Sequence, residues 1–259
     1  MINFNFAVII MPQSNSKIGI QKIRLSSVDS TNNFAAKLIN DGLAEHGSVI
    51  LAENQTNGRG QRSLKWQSEK GKNILSSFIF EFHELDPQFL FRINAFVSIA
   101  ILDFLSSHDI EAQIKWPNDI LVDSKKICGI LVENKLVGNI LHYSVAGFGL
   151  NVNQAEFSEL KDVTSMFLEK KKEFDLEAIW LSLISYFQKW EGFITSEHHS
   201  ENLHRMYQNN LFGVDEKRQF MIGLNRVEGV IKGVNKHGFL MLQIGEEIHY
   251  FKNKEVEFL

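Results

Sequence analysis

The chain has 259 residues, 44% hydrophobic and 22% charged, the balance of an ordinary globular protein of one large domain or a large and a small one. Its net charge of −4 excludes a global basic field of the kind that drives non-specific binding to nucleic acid. The single cysteine excludes an internal disulfide framework, and the apolar run Phe6-Ala7-Val8-Ile9-Ile10-Met11 is too short for a membrane span and lacks a secretion leader, so a cytoplasmic location is expected.

Residues 1–23 read as a short strand or a loose tail. Ser30 or Thr31 then caps a helix whose apolar stripe is Phe34, Ala35, Leu38 and Ile39, ending near Gly42. A strand over 49–53 runs into Glu53-Asn54-Gln55-Thr56-Asn57-Gly58-Arg59-Gly60-Gln61-Arg62, closed by Lys65-Trp66. Glycine lets backbone N–H groups approach an anion, and Arg59 and Arg62 add permanently charged forks. Residues 56–63 are polar or glycine apart from nothing larger than a charged stem, which predicts a mobile lid.

Further strands are expected over 74–81, 113–116, 127–133 and 140–147, with a buried helix over 89–105. Leu176, Ile179, Leu183, Phe187 and Trp190 give an amphipathic helix behind a capping Asp175, and a shorter helix covers 201–208. From about Val214 the pattern changes to short alternating segments (220–222, 227–234, 239–244 and 248–251), which predict a small antiparallel barrel of SH3 size. The expected division is therefore a catalytic unit over 24–212 and a C-terminal unit over 213–259.

The chain has no GxSxG, HExxH or CxxC motif, and its nine histidines show no ligand spacing. Cys128 sits in an apolar run and reads as inert packing. Taken singly, Ser30-Thr31 is a helix cap, Lys125-Lys126 a solvated strand start and Asn118-Asp119 a turn.

Taken together they say more. Asp29-Ser30-Thr31-Asn32, the Gly58-Arg59-Gly60 loop, Lys115-Trp116-Pro117-Asn118-Asp119 with Lys125-Lys126-Ile127-Cys128-Gly129-Ile130-Leu131-Val132-Glu133, and Gly147-Phe148-Gly149-Leu150-Asn151 follow in an order and spacing that resemble a biotin protein ligase. The resemblance runs from about Leu25 to the C-terminus. It implies an α/β (α+β) catalytic domain with a mixed sheet like that of class II aminoacyl-tRNA synthetases, plus an SH3-like β-barrel. The implied activity converts biotin and ATP, with Mg²⁺, to biotinyl-5'-AMP and pyrophosphate. Biotin then passes to one lysine of a biotin carboxyl carrier protein of acetyl-CoA carboxylase or a related carboxylase.

By the same resemblance, Ser30, Thr31, Asn32 and Gln55 would hydrogen-bond the ureido head of biotin, which presents two donors and an acceptor. Gly58, Arg59, Gly60, Gln61 and Arg62 would close over biotin and the adenylate, with Trp66 as an apolar plug. Lys126 would be the central cation, aided by Arg59 and Arg62, and Lys125 would face away because strand neighbours point to opposite sides. Gly129 would let the ligand lie close to its strand. Gly58, Arg62, Lys115, Asn118 and Asn151 would contact ATP, and Asp119 would help hold Mg²⁺. Gly147 and Gly149 mark a strand where a flat ring or the adenylate approaches.

Two features depart from the family pattern. Gln61, Ser63 and Leu64 replace residues that are often basic or glycine, which would weaken retention of the adenylate. Only 28 residues precede Asp29 and they lack a helix-turn-helix pattern, so no sequence-specific DNA binding is expected. Lipoate or octanoate transfer on a related fold, and a non-catalytic biotin sensor, are the alternatives. The KWPND segment with the Gly-Arg-Gly loop favours biotin, and the pairing of Arg59 with Lys126 favours an enzyme. An edge strand around 140–144 would allow a homodimer.

Overall fold

A computed structural model describes residues 16–61, 65–85, 90–138, 140–157, 161–195 and 197–259. Arg62, Ser63, Leu64, Phe89 and the apolar run 6–11 lie outside the described residues. So does part of the segment expected to act as a lid.

Two sheets organise the described residues. The larger has seven strands in the order β1-β2-β3-β7-β6-β5-β4: β1 (Lys22–Leu25), β2 (Val49–Ala52), β3 (Ile74–Leu85), β4 (Gln113–Lys115), β5 (Asp119–Val122), β6 (Lys125–Val137) and β7 (Ile140–Leu150). Only β1 and β2 pair in parallel; every other neighbour is antiparallel, so the sheet is mixed as expected. β1 crosses the expected boundary between residues 23 and 24 and belongs to this sheet.

Side-chain alternation divides the core in two. Ile50, Ile79 and Val145 face helix α1 (Thr31–Asn40) with Ala35. Val49, Phe78, Phe80 and Ala146 face the other way. There they meet α2 (Leu90–Ser106) and, beyond the short α3 (Met166–Lys170), α4 (Leu176–Trp190). The periodicity of α4 was plain because its stripe packs on α2, and Asp175 caps it by accepting from Glu177 N and Ala178 N. A buried carboxylate on α2, Asp103, is satisfied by Lys189 Nζ at 2.6 Å and Trp190 Nε1 at 2.8 Å. Phe187 is fully buried, with ring centroids 4.3 Å from Phe78, 5.4 Å from Phe96 and 5.5 Å from Phe148. Phe187→Ala therefore destabilises the protein by about 3–5 kcal/mol, read as a lowered denaturation midpoint.

The second sheet follows α5 (Gly192–Thr195) and α6 (Glu197–Asn209). It holds β8 (Lys217–Ile222), β9 (Asn225–Val234), β10 (Leu240–Ile244), β11 (Glu247–Phe251) and β12 (Val256–Phe258), in the order β11-β10-β9-β8-β12. All its pairs are antiparallel, but β11 and β12 are its edges, so the strand order does not close into a barrel.

The edge expected around 140–144 is not an edge. β7 is the middle strand, paired with β3 on one side and β6 on the other. Tyr143 OH donates to Glu81 Oε1 on neighbouring β3. β5 and β12 were not expected. β5 was hidden because its hairpin to β6 turns on Asp123 and Ser124, both at positive φ (46° and 66°), without the usual glycine.

Candidate active site

A cleft of about 690 Å³ opens on the α1 face of the large sheet. Its floor follows from register. Ser77 pairs with Gly147, which pairs with Leu131, and Gly149 pairs with Gly129. These positions share the side of the sheet that carries Ile79 and Val145 toward α1, by the period of two.

One end of the cleft is a neutral polar pocket at the start of α1. Ser30 occupies the N-cap position but makes no side-chain capping bond, so the expected cap is not made. Ser30, Thr31 and Asn32 are nevertheless buried and line the cleft. Gln55 Oε1 accepts from Thr31 N at 2.7 Å and from Thr31 Oγ1 at 3.1 Å. Ser77 Oγ lies 2.7 Å from Thr31 Oγ1 and donates to Asn32 Oδ1 at 2.6 Å. Asn32 Nδ2 donates to Leu131 O at 3.2 Å and Glu133 Oε2 at 2.9 Å. A Cβ at Gly147 would lie 2.0 Å from Asn32 Oδ1, so the missing side chain is what seats this amide.

Trp66 forms the next part of the wall. A Cβ on Gly149 would fall 2.3 Å from its indole, and one on Gly129 would fall 2.9 Å from it. Where a flat ring or the adenylate was expected, at Gly147 and Gly149, Asn32 sits on Gly147 and the protein's own Trp66 lies across Gly149 and its partner Gly129. Gly58 does not line the cleft. It supports Trp66 from behind, accepting Trp66 N at 3.0 Å, and a Cβ there would meet Trp66 O at 2.7 Å. Trp66 Nε1 is buried without a partner among the described residues.

The cations come next. Lys126 Nζ stands 2.6 Å from Asp119 Oδ1 and 5.6 Å from the Trp66 ring centre. Strict alternation from Gly129 would place Lys125 on the cleft face. Between β5 and β6 the register instead steps from Ile120↔Cys128 to Leu121↔Lys126, passing over Ile127. This bulge turns Lys126 into the cleft and leaves Lys125 exposed outside it. Arg59 also lines the cleft. Its Nη2 donates to Glu133 Oε1 at 2.5 Å, and its Nη1 to Glu133 Oε2 at 3.2 Å and Asn33 Oδ1 at 2.6 Å. Asn33 Nδ2 in turn donates to Asp29, whose carboxyl that bond holds below its usual range. Cys128 beside Lys126 is fully buried, and burial pushes its thiol far up, which fits inert packing.

At the far end the protein itself occupies part of the expected polar groups. Asn118 lines the cleft, but its Nδ2 donates to Ile130 O at 2.8 Å, tying β5 to β6. Asn151 is 2% exposed; its Nδ2 donates to Thr164 O at 3.0 Å, while its Oδ1 has no partner among the described residues. An unpartnered buried acceptor on a cleft wall is what a ligand donor would satisfy. The Trp116–Pro117 peptide is cis, and Trp116 Nε1 donates to Gly238 O at 2.9 Å. Among the described residues no group of three or more His, Cys, Asp or Glu could hold a metal ion.

Several contributors were missed by sequence reasoning, Lys161 and Asp162 among them. Ser77, one of two adjacent serines in the expected strand over 74–81, had no role assigned. Glu133 stood inside a quoted motif without a role. The C-terminal sheet supplies Asn253, Val256, Glu257 and Phe258 to the wall: Asn253 Nδ2 donates to Gln61 Oε1 at 2.6 Å, and Lys115 Nζ lies 5.2 Å from the Phe258 ring centre. No local pattern marks these residues. Of the expected set, Ser30, Thr31, Asn32, Gln55, Arg59, Gly60, Gln61, Trp66, Lys115, Asn118, Asp119, Lys126, Gly129 and Asn151 share this one cleft.

Residues 25–151 match the Biotin/lipoate A/B protein ligase family. The chain is 27% identical over 236 residues to the bifunctional ligase/repressor BirA of Bacillus subtilis, covering 89% of this chain and 71% of that one. It is 30% identical over 146 residues to the biotin–[acetyl-CoA-carboxylase] ligase of Mycobacterium tuberculosis, covering 55% and 53%. In fold it resembles the biotin protein ligase of Aquifex aeolicus solved in complex with biotin and ATP, with a TM-score of 0.74 and 24% identity over 92% of this chain and 97% of that one. The sequence match and the shared architecture agree: residues 25–151 form a domain of the Biotin/lipoate A/B protein ligase family.

Proposed function

We propose that this protein is a biotin–protein ligase, which makes biotinyl-5'-AMP from biotin and ATP and then transfers biotin to a lysine of a biotin carboxyl carrier protein. The observation that carries the reading is one cleft in which a polar pocket (Thr31, Asn32 and Gln55, with buried Ser77 behind them) continues to two cations, Lys126 and Arg59. A urea head satisfies such a pocket, and a carboxylate on an apolar tail reaches the cations. The dithiolane of lipoate brings no donor or acceptor comparable to a urea into this polar lining, and a buried polar group left without a partner costs about 1–3 kcal/mol. Relatives named for biotin ligation, from Mycobacterium tuberculosis and Arabidopsis thaliana, support the same choice.

In the first step a biotin carboxylate oxygen bonds to the α-phosphorus, and the bond from that phosphorus to the pyrophosphate oxygen breaks. Negative charge builds at the α-phosphate, and preorganised cations lower that barrier. Lys126 is proposed to leave Asp119 and bridge the carboxylate and the phosphate. Arg59 is proposed to add a second positive edge. Asn151 Oδ1 would accept a donor of the nucleotide. Asp119 is the carboxylate that would hold Mg²⁺, which would add positive charge beside the phosphates. In the second step the neutral lysine amine attacks the biotinyl carbonyl, an amide forms and AMP leaves.

The test incubates the protein with biotin, MgATP and a recombinant carrier domain and reads the carrier's mass. A single biotin-sized, ATP-dependent increment is expected, and excess lipoate does not suppress it. Lipoylation of the carrier in a competition mixture would overturn the choice of biotin.

A further inference from the structure

Glu133 does not line the cleft, yet it joins the two parts of the site that matter most. Its Oε2 accepts from Asn32 Nδ2 at 2.9 Å and from Arg59 Nη1 at 3.2 Å, while its Oε1 accepts from Arg59 Nη2 at 2.5 Å. An isolated surface ion pair contributes little, and the Arg59 and Glu133 side chains are 41% and 35% exposed. This one is not isolated. Arg59 Nη1 also donates to Asn33 Oδ1 at 2.6 Å, and Asn32 is only 4% exposed and seated on Gly147. The hydrogen bonds run without a break from Gln55 through Thr31, Ser77, Asn32 and Glu133 to Arg59.

We infer that Glu133 is a positioning residue: it fixes the plane of the Arg59 guanidinium at the cleft and orients the Asn32 amide, coupling the head pocket to the anion-gripping loop. Holding Arg59 through two of its nitrogens leaves its remaining N–H donors for the ligand's anion. Pointing Asn32 Nδ2 outward, to Leu131 O and Glu133, turns Oδ1 toward Ser77. The inference rests on the ligase reading for its kinetic consequences but not for the anchor itself.

Two substitutions separate the two arms. Glu133→Gln keeps an oxygen for Asn32 and loses the charge that holds Arg59. Glu133→Ala loses both. The expected result for Glu133→Gln is a roughly tenfold lower kcat for biotinyl adenylate formation with KM for biotin nearly unchanged, whereas Glu133→Ala also raises that KM. In an Arg59→Ala background, adding Glu133→Gln changes the rate by less than about twofold, because the group being positioned is gone. Additive losses, or a faster Glu133→Gln enzyme, overturn the inference; the second result would make Glu133 a competitor for Arg59. A ligand-free measurement keeps the two readings apart. Trypsin cleavage after Arg59, located by mass, is expected to be several-fold faster in Glu133→Gln than in the native protein, with cleavage after Lys217 as the reference. Equal rates after Arg59 remove the anchor even if the ligase reaction is confirmed. If the native protein makes no biotinyl adenylate, the ligase reading falls and the cleavage comparison still decides the anchor.

Discussion

Lys126→Ala lowers the rate of biotinyl adenylate formation by about 10²- to 10³-fold, the scale expected when one preorganised charge is removed from a transition state. Lys125→Ala leaves that rate unchanged, because the bulge at Ile127 points Lys125 out of the cleft. The comparison is sharp because the two residues are neighbours of the same charge and differ only in facing. Removing Lys126 also leaves the Asp119 carboxylate without its partner 2.6 Å away. The double variant Lys126→Ala/Asp119→Asn controls for this: if it regains the native rate, the loss came from an uncompensated Asp119 and not from a missing cation. Rapid-quench measurement of adenylate checks both points. Equal effects of the two lysines would sink the assignment.

The second large effect concerns a residue without a side chain. In Gly147→Ala the new Cβ would lie 2.0 Å from Asn32 Oδ1, and the strand cannot retreat because β7 is paired on both sides. Asn32 must swing away, breaking its bonds to Ser77, Leu131 and Glu133. Overpacking of this kind destabilises by about 1–3 kcal/mol. The larger consequence is a biotin affinity lower by more than about tenfold, which corresponds to ~1.4 kcal/mol of lost binding. Gly129→Ala is the milder comparison, since part of what its Cβ meets is the flexible end of Lys126 at 3.1 Å. Calorimetric titration of biotin into folded Gly147→Ala tests the claim, and native-like affinity refutes it.

Much of this was legible beforehand, and what was missed has a physical pattern. Helices α2 and α4 and the long strands announced themselves through apolar periodicity, because one face of each is buried along its whole length. That Ser30, Thr31, Asn32, Gln55 and Lys126 line one cleft was legible through motif order. That Lys126 and not Lys125 faces the cleft rested on the family match, since a bulge is invisible to a period of two. The false edge at 140–144 arose because pairing partners distant in sequence leave no local mark. Phe258 and Asn253 were missed for the same reason: a wall made by another sheet depends on how Trp116 docks on Gly238, not on the residues beside it. Gln61 was singled out in the loop for its missing charge, but its amide contact with Asn253 is known only from the fold.

Trp66 has a further use. The other three tryptophans, Trp116, Trp180 and Trp190, are at most 3% exposed, while Trp66 is half-buried, with its ring on bare backbone and an ammonium 5.6 Å from its centre. Displacement of Lys126 or filling of the cleft changes the surroundings of that indole far more than those of the others. The protein therefore carries a built-in optical probe on the wall of its candidate active site. Stopped-flow emission can follow ligand entry in real time without a dye, and Trp66→Phe supplies the blank.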